Sequence, residues 1–484
     1  MKASPIDLLV VVVYLALVMI FGYSFYRKKR GAKGFTTGEG RLPAWALGMS
    51  VFATYVSSIS FLALPGNAFA KDWSGFVFSL SIPLAAWISV KYFVPLYRKL
   101  GSESAYYFME QRFGPWARVY ASGCYLLTQL ARMGAILYLL ALPMQSLLGF
   151  SIPMIIIVIG LLVMVYSTMG GLEAVVWTDA IQGILLISGA MLCLGLLLFD
   201  IEGGILGFIE LAKENEKTGL GSTDFSLTES SFWLILLYGF FINLQNFGAD
   251  QNYIQRYIGA KDEKDAARSV WMGSLLYVPV SLLFFIIGTA LWVFYSQKSG
   301  VLPEEIAADG VFPYFIVNEL PVGITGLLIA AILSAGMSSV STSINSSATV
   351  LLSDYYKKIK RTERTEEESM SFLRLSSIIM GLLSILVGLA FNGVASALDA
   401  WWALASIFSG GILGLFLLGL LIKNIKKTAS KVAVIVGVIF IVWTSVSSFL
   451  PEDNALRFGL HPNFVIIIGT LIIFGIGWLM NKKS

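Results

Sequence analysis

The sequence predicts an all-α polytopic membrane protein with 13 transmembrane helices. Of its 484 residues, 57% are hydrophobic and only 13% are charged, which leaves too few polar side chains to cover a soluble domain. The apolar residues fall into 13 runs separated by polar loops, as in a chain that crosses a bilayer repeatedly. Basic residues are concentrated in every second loop, which indicates a fixed membrane orientation.

Six predicted spans precede a polar loop at residues 203–229. They cover residues 6–26, 42–70, 76–97, 119–148, 152–166 and 174–199. The first lacks a clear small-residue cleavage site, so we interpret it as a retained helix rather than a signal peptide. The second is predicted to break at Pro65-Gly66. Irregular backbone of this kind is tolerated at membrane depth only where it lines a cavity.

Seven predicted spans follow the loop. They cover residues 231–254, 270–294, 322–352, 373–391, 400–421, 432–449 and 463–480. With this arrangement, 26 of the 34 Lys and Arg residues lie in loops on one side, and Arg256 is counted among these loop residues. The positive-inside rule makes that side cytoplasmic. The odd number of spans then places the N-terminus outside and the C-terminus inside, in the plasma (inner) membrane.

The rare reactive side chains exclude several classes of enzyme. Cys124 and Cys193 lie in separate apolar spans, and the single histidine, His461, lies in a late loop. This set supports no disulfide framework, no Cys/His metal site and no Ser/His triad. No Gly-x-x-x-x-Gly-Lys-Ser/Thr phosphate loop is present. A membrane-embedded enzyme is therefore disfavoured against a transporter, and no catalytic residue is predicted.

One apolar run carries an unusual number of hydroxyl groups. Within residues 331–345 the polar side chains recur at helical spacing, so they share one face. They are Ser334, Ser338, Ser341, Thr342 and Asn345. Such oxygens suit a small hard cation that leaves water. The alternative is structural, because Ser and Thr also permit close helix packing and bond to their own backbone.

Arg132 is predicted to lie near the middle of the bilayer. It follows Arg118 by 14 residues, which is roughly 21 Å along a helix. A buried guanidinium needs a negative partner or water. Its planar fork matches a carboxylate, which either a substrate or the protein supplies.

Two acidic residues also fall within predicted spans. Asp179 is a candidate cation ligand or proton carrier, and the competing interpretation is a salt bridge to Arg132. Asp250 lies among several Asn and Gln residues, which indicates either a water-lined cavity or an ordinary interfacial helix end.

Four motifs are similar to those of the sodium/solute symporter family, whose members transport sugars, proline and sialic acid. They are Ala53-Thr-Tyr-Val-Ser-Ser-Ile-Ser60, Trp177-Thr-Asp-Ala-Ile-Gln182, Gln255-Arg-Tyr-Ile258 and Ser338-Ser-Val-Ser-Thr-Ser343. The resemblance covers nearly the whole chain. It implies a LeuT-like fold of two inverted five-helix repeats at residues 42–199 and 231–421. One span at residues 6–26 would precede the repeats, and two at residues 432–480 would follow.

The resemblance also implies two sodium sites in this single transporter domain. The first falls on the backbone carbonyls of Ala53, Val56 and Ala335 and on the hydroxyls of Ser338 and Ser339. The second falls on Asp179, Ser338, Ser341 and Thr342. Na⁺ is accordingly the expected coupling ion.

The bacterial sialic acid branch of that family offers the most similar pattern around Arg132. In that branch the arginine holds the carboxylate of the sugar acid, and positions matching Ser57 and Ser60 contact the substrate. Ser79 occupies the position of a substrate-binding glutamine, which is a departure from the branch. We therefore expect a monomeric sodium symporter of an acidic solute, with sialic acid or a related sugar acid first. The alternative substrate is a neutral sugar or a monocarboxylate.

Overall fold

The computed structural model describes a helical chain. It covers residues 3–26, 31–298, 300–303, 306–359, 365–393, 404–405, 407, 411–447, 450–451 and 454–482. Throughout these residues the regular structure is helical, apart from one isolated bridge between Leu42 and Ala260. The predicted all-α class is confirmed.

The helices follow the predicted order. Those of the first half are α1 (Pro5–Tyr26), α2 (Ala44–Tyr55), α3 (Ser58–Ala70), α4 (Ser74–Leu100), α5 (Pro115–Leu148) and α6 (Ile152–Asp200). Those of the second half are α7 (Phe232–Ala249), α8 (Gln251–Gly259), α9 (Glu263–Gln297), α10 (Ala308–Asn318), α11 (Ile324–Tyr356), α12 (Glu366–Ala390), α13 (Ile412–Leu421), α14 (Lys427–Ser447) and α15 (Phe464–Lys482). Short helices also occur at Ala32–Thr37, Tyr107–Phe113 and Gly204–Glu214.

Ten of the described helices are long and apolar enough to cross a membrane, and the bent pair α2 and α3 makes 11. The protein is therefore a multi-pass membrane protein. The predicted span at residues 400–421 lies partly outside the described residues, and its described end forms α13. The predicted polar loop at residues 203–229 contains the short helix Gly204–Glu214.

The break in the second predicted span lies earlier than we predicted. The chain leaves the helix at Val56 and Ser57, and α2 and α3 meet there at 54°. Ser57 is extended, and its side chain accepts the N–H of Ser60 at 3.4 Å. A serine in this position replaces a lost helical bond. Pro65 is instead accommodated inside α3.

Two other helix boundaries also differ from the prediction. The spans at residues 152–166 and 174–199 form one helical run, α6, which changes direction at Gly171 (φ 60°). A β-carbon at Gly171 would lie 2.6 Å from the Cα of Phe35, so only glycine fits. The span at residues 231–254 is divided at Asp250, whose side chain caps α8 by accepting the N–H of Asn252 at 2.7 Å.

The hydroxyl-bearing run predicted from the sequence forms the centre of the bundle. Every residue of α11 from Leu328 to Val350 is buried, because α1, α5, α6 and α12 pack around it. Peripheral helices such as α1 and α15 expose large apolar side chains, as expected of surfaces that face lipid. The polar face of α11 is thereby shielded from lipid and lies against the other helices that carry the candidate site.

Candidate cation and solute site

The break between α2 and α3 faces the middle of α11. Ser338 of α11 donates its hydroxyl to the carbonyl of Ala53 at 3.3 Å and lies 3.1 Å from the carbonyl of Ala335. Ser339 Oγ lies 3.3 Å from the same Ala335 carbonyl. Four members of the predicted first sodium set are therefore in direct contact.

Val56, the fifth member of that set, is buried at the break itself. Its N–H donates to the carbonyl of Phe52 at 3.1 Å, and its own backbone is extended. Unwound carbonyls beside a broken helix are the oxygens that sodium symporters use for Na⁺. The five residues of this set offer only neutral carbonyl and hydroxyl oxygens, which are suitable ligands for a small cation.

Asp179 lies on α6, fully buried beside α2 and α11. Its Oδ2 atom accepts the hydroxyl of Ser50 at 2.6 Å and that of Thr342 at 3.2 Å. Its Oδ1 atom has no hydrogen-bond partner among the described residues. Ser341 belongs to the predicted second set as well, and its hydroxyl donates to the carbonyl of Ser338 at 3.0 Å. The second set is thus gathered on facing turns of α6 and α11.

Arg256 is the buried charged residue of this region that the sequence interpretation missed. We counted it as a cytoplasmic loop residue, but the structure buries it completely, with Nη2 3.3 Å from Asp179 Oδ2. It also donates to Ser50 Oγ at 3.1 Å, Thr342 Oγ1 at 2.7 Å and the carbonyl of Asn252 at 2.6 Å. After the division of the chain at Asp250, α8 packs against α2, α9 and α11, so Arg256 lies inside the bundle.

The proposed salt bridge between Arg132 and Asp179 is therefore wrong. Asp179 pairs with Arg256, whereas Arg132 Nη2 donates to the backbone carbonyl of Thr54 at 3.0 Å. Among the described residues no carboxylate lies within salt-bridge distance of Arg132. Asp250 is close enough for a longer-range electrostatic interaction. The Arg132 side chain, on α5, is only partly buried. Its contact with Thr54 places it beside the last turn of α2, just before the break.

The serines predicted to contact a substrate lie on two sides of this region. Ser57 lies at the break and Ser60 in the first turn of α3, with their hydroxyl oxygens 3.5 Å apart. Ser79 lies on α4, where its hydroxyl is 2.8 Å from that of Ser281 on α9. Aromatic rings fill part of the space between these helices, and Tyr55 packs against Tyr277 at 5.2 Å between ring centroids.

Solved structures with the same fold belong to membrane transporters. The structure resembles that of a substrate-bound, outward-open Na⁺-coupled sialic acid symporter with a TM-score of 0.92 and 32% identity, and the match covers 99% of this chain and 98% of the other. Mhp1, a nucleobase-cation-symport-1 family transporter, gives a TM-score of 0.54 at 16% identity over 92% of this chain and 93% of its own, which supports the fold alone. The protein is therefore a multi-pass transporter rather than an enzyme.

The family follows from the sequence comparisons. Residues 35–437 match the model of the sodium:solute symporter family, and the chain belongs to that family. It is 35% identical to the sodium/sialic acid symporter SiaT of Proteus mirabilis, over 95% of this chain and 92% of that protein. It is 31% identical to the sodium/sialic acid symporter NanT of Aliivibrio fischeri, over 96% and 91% of the two chains. The predicted family and the predicted sodium coupling are confirmed.

Proposed function

We propose that this protein imports sialic acid, or a related sugar acid, together with Na⁺ by alternating access. Relatives at 35% and 31% identity are described as sodium/sialic acid symporters, and both matches extend over more than nine tenths of this chain. The protein's own chemistry supports the same substrate class, because a guanidinium lies at the broken helix beside hydroxyl groups.

The observation that carries the proposal is the state of Arg132. Its guanidinium has five N–H donors, and the described residues include no salt-bridge partner for it. Asp179, the candidate protein partner, is already paired with Arg256. A substrate carboxylate could accept two parallel hydrogen bonds from Arg132. Ser57 and Ser60 would then contact the polar groups of the sugar.

We assign sodium to two neighbouring sets of oxygens. The first contains the carbonyls of Ala53, Val56 and Ala335 and the hydroxyls of Ser338 and Ser339. The second contains Asp179, Ser338, Ser341 and Thr342. Because Ser338 belongs to both sets, binding of one ion positions a ligand of the other. Na⁺ would supply the driving force for uptake, and the protein's oxygens would replace its hydration shell.

Ser79 changes the space that is available to the sugar acid in the solute site. A hydroxyl that bonds Ser281 is shorter than an amide side chain and leaves more room in the solute site. A larger or differently substituted sugar acid would fit there. Monocarboxylates are the second candidate, because they also present a carboxylate to Arg132 and the chain is 27% identical to the mouse sodium-coupled monocarboxylate transporter 2.

We also propose 13 spans, with inverted repeats at residues 42–199 and 231–421. The 49 residues of α6 would extend about 74 Å, more than two bilayer cores, so the turn at Gly171 divides two crossings. The first helix of each proposed repeat is broken, at Val56 in one and at Asp250 in the other. Paired breaks of this kind are typical of inverted repeats around a central site.

The distribution of basic residues supports an N-terminus outside the cell and a C-terminus in the cytoplasm of the plasma (inner) membrane. The two spans at residues 432–480 would then follow the transport core as a pair. Cysteine labelling from either side of intact cells, at single cysteines introduced before α1 and after α15, tests this orientation.

Uptake by purified protein in proteoliposomes tests the function. We expect an inward sodium gradient, but not a potassium gradient, to drive accumulation of labelled sialic acid. Unlabelled sugar acids, neutral sugars and monocarboxylates added as competitors identify the substrate class. Sodium-driven uptake of a neutral sugar, with no competition by any acid, would contradict the proposal.

A variant with both Ser338→Ala and Ser339→Ala separates the cation site from the solute site. We expect it to need roughly tenfold or more sodium for half-maximal uptake, because two neutral ligands are lost. Ser376→Ala on α12 is the matched control, since Ser376 is also a buried serine. An unchanged sodium dependence in the double variant would remove the first site from these residues.

A further inference from the structure

Helix α1 precedes the residues that match the family model, yet it is firmly joined to α11. Asp7 is buried, and its Oδ1 atom accepts the N–H groups of Gly323 at 2.7 Å and Gly326 at 2.9 Å. These groups lie at the N-terminal end of α11, where backbone donors have no helical partner. Asp7 therefore caps α11 and fixes α1 at one height along it.

Tyr14 makes the second connection, two turns deeper in the membrane. Its hydroxyl oxygen lies 2.7 Å from Ser334 Oγ of α11 and accepts the amide N–H of Gln182 Nε2, on α6, at 3.1 Å. Ser334 directly precedes Ala335 of the first sodium set and lies about one turn before Ser338. Gln182 follows Asp179 by three residues and so shares its helix face. Tyr14 thus joins the two helices that carry the cation ligands.

The oxygen of Tyr14 accepts both of these hydrogen bonds. The hydroxyl of Ser334, which also lies 2.8 Å from the carbonyl of Ala330, donates to it, and so does Gln182 Nε2. The amide therefore presents its NH₂ group to Tyr14, which directs Oε1 away from Tyr14.

That oxygen is buried and has no hydrogen-bond partner among the described residues. The same holds for Asp179 Oδ1, on the same face of α6. Tyr166 of α6 donates its hydroxyl to the carbonyl of Met337, the residue before Ser338, at 3.1 Å. Buried acceptors left unsatisfied are costly. Two of them beside further oxygens form a suitable environment for a cation on the side of Asp179 that Arg256 does not occupy.

We propose that Tyr14 is a positioning residue for the cation site at Asp179, and that it holds the Gln182 amide with Oε1 directed into that site as an additional neutral oxygen ligand. The inference rests on the proposed sodium symport. It gives α1 a role in ion coupling rather than in packing alone. The partner is a small monovalent cation, because the set adds only neutral oxygens to one carboxylate.

Sodium titration of purified protein in nanodiscs tests the inference without transport. Sodium replaces choline at constant ionic strength, and binding is followed by calorimetry and by the shift in thermal unfolding temperature. We expect Tyr14→Phe to weaken sodium binding roughly three- to tenfold, because the amide loses the contact that orients it. Tyr295→Phe, at another buried tyrosine on α9, should bind sodium as the wild-type protein does.

The double-mutant cycle with Gln182→Met distinguishes positioning from packing. If Tyr14 acts through the amide, Tyr14→Phe has no further effect once Gln182 is Met. Losses that add, or wild-type sodium affinity in Tyr14→Phe, would overturn the proposal. Should Tyr14→Phe fail to fold, Ser334→Ala tests the same chain, because it removes the hydroxyl that donates to Tyr14 and holds it beside the amide. Absence of sodium binding in the wild-type protein would instead overturn the proposed function.

Discussion

Arg256 and Arg132 both reach the last turns of α2, but they are satisfied in different ways. Arg256 donates to Ser50 Oγ and is completely buried with its carboxylate partner Asp179. Arg132 donates to the carbonyl of Thr54, four residues further on, and is only partly buried. One guanidinium is held by the protein's own charge. The other has no salt-bridge partner among the described residues and donates there to the Thr54 carbonyl, which leaves further N–H donors for a ligand.

The difference shows how a charge at membrane depth can be assigned a role. A buried charge that the protein neutralises belongs to the fold, because removing either partner leaves the other uncompensated. A charge beside a broken helix without a protein carboxylate is available to a ligand. Substitution of the two arginines should therefore affect different properties. Arg256 variants should lose stability, and Arg132 variants should lose substrate affinity.

The largest effect is expected for Arg256→Met. This change strands the Asp179 carboxylate in the interior, and we expect the free energy of unfolding to fall by about 3–5 kcal/mol. Thermal unfolding in detergent measures the loss. Adding Asp179→Asn to the same protein removes the stranded charge and should recover most of the stability. If the double variant is as unstable as the single one, Arg256 acts through Asn252 and Ser50 instead.

The next effect is expected for Arg132→Lys. Lysine keeps the charge but cannot form two parallel bonds to a carboxylate, and loss of such a desolvated contact costs about 2–5 kcal/mol. We therefore expect sialic acid to bind roughly 30-fold to several thousand-fold more weakly. Calorimetry on the purified variant measures this affinity.

The same variant should unfold at the wild-type temperature and should still bind sodium, because no protein carboxylate loses its partner. Near-normal affinity for the acid would contradict the assignment of Arg132 to the substrate. A sodium-blind or unstable variant would mean that Arg132 supports the cation site through Asp250.

The sequence was sufficient to predict the polar face of α11. Apolar length marked it as a span, and helical spacing placed Ser338 and Thr342 on one face. The structure brings that face against Ala53 and Asp179. Arg118 and Arg132 lie on one helix, α5, as predicted, whereas the depth of Arg132 in the bilayer stays a prediction. The predictions that succeeded depend on periodicity within a single helix.

The predictions that failed depend on how the chain is interrupted. Pro65 was chosen as the break because proline disrupts helices, yet neighbouring helices accommodate it, and α9 approaches so closely that Gly288 has no room for a β-carbon beside the Pro65 carbonyl. Ser57 breaks the helix instead by capping α3. Arg256 was missed because an apolar run that ends near residue 254 looks like the start of a loop. Its presence in the Gln255-Arg-Tyr-Ile motif was the signal that could have identified it.

Arg118 is a third arginine to compare with Arg256 and Arg132. We expect the smallest effect on stability when one of its partners is changed. Arg118 pairs with buried Asp354 at 2.5 Å and with partly exposed Glu110 at 2.7 Å, and Lys358 contacts Glu110 as well. Burial opposes ionisation of Glu110, but its bonds to Lys358 and Arg118 lower its pKa below the ordinary value. Because Asp354 still neutralises Arg118, we expect Glu110→Gln to cost less than about 1 kcal/mol of stability.

The sign of the pH dependence follows from the lowered pKa of Glu110. Its ionised form is favoured in the folded protein, so the contribution is complete above the ordinary glutamate range and is lost as pH falls through the folded pKa. The difference in unfolding temperature between wild-type and Glu110→Gln protein should therefore be present at pH 7 and shrink below about pH 4. A difference that stays constant across this range would mean that Glu110 contributes through packing rather than through its charge.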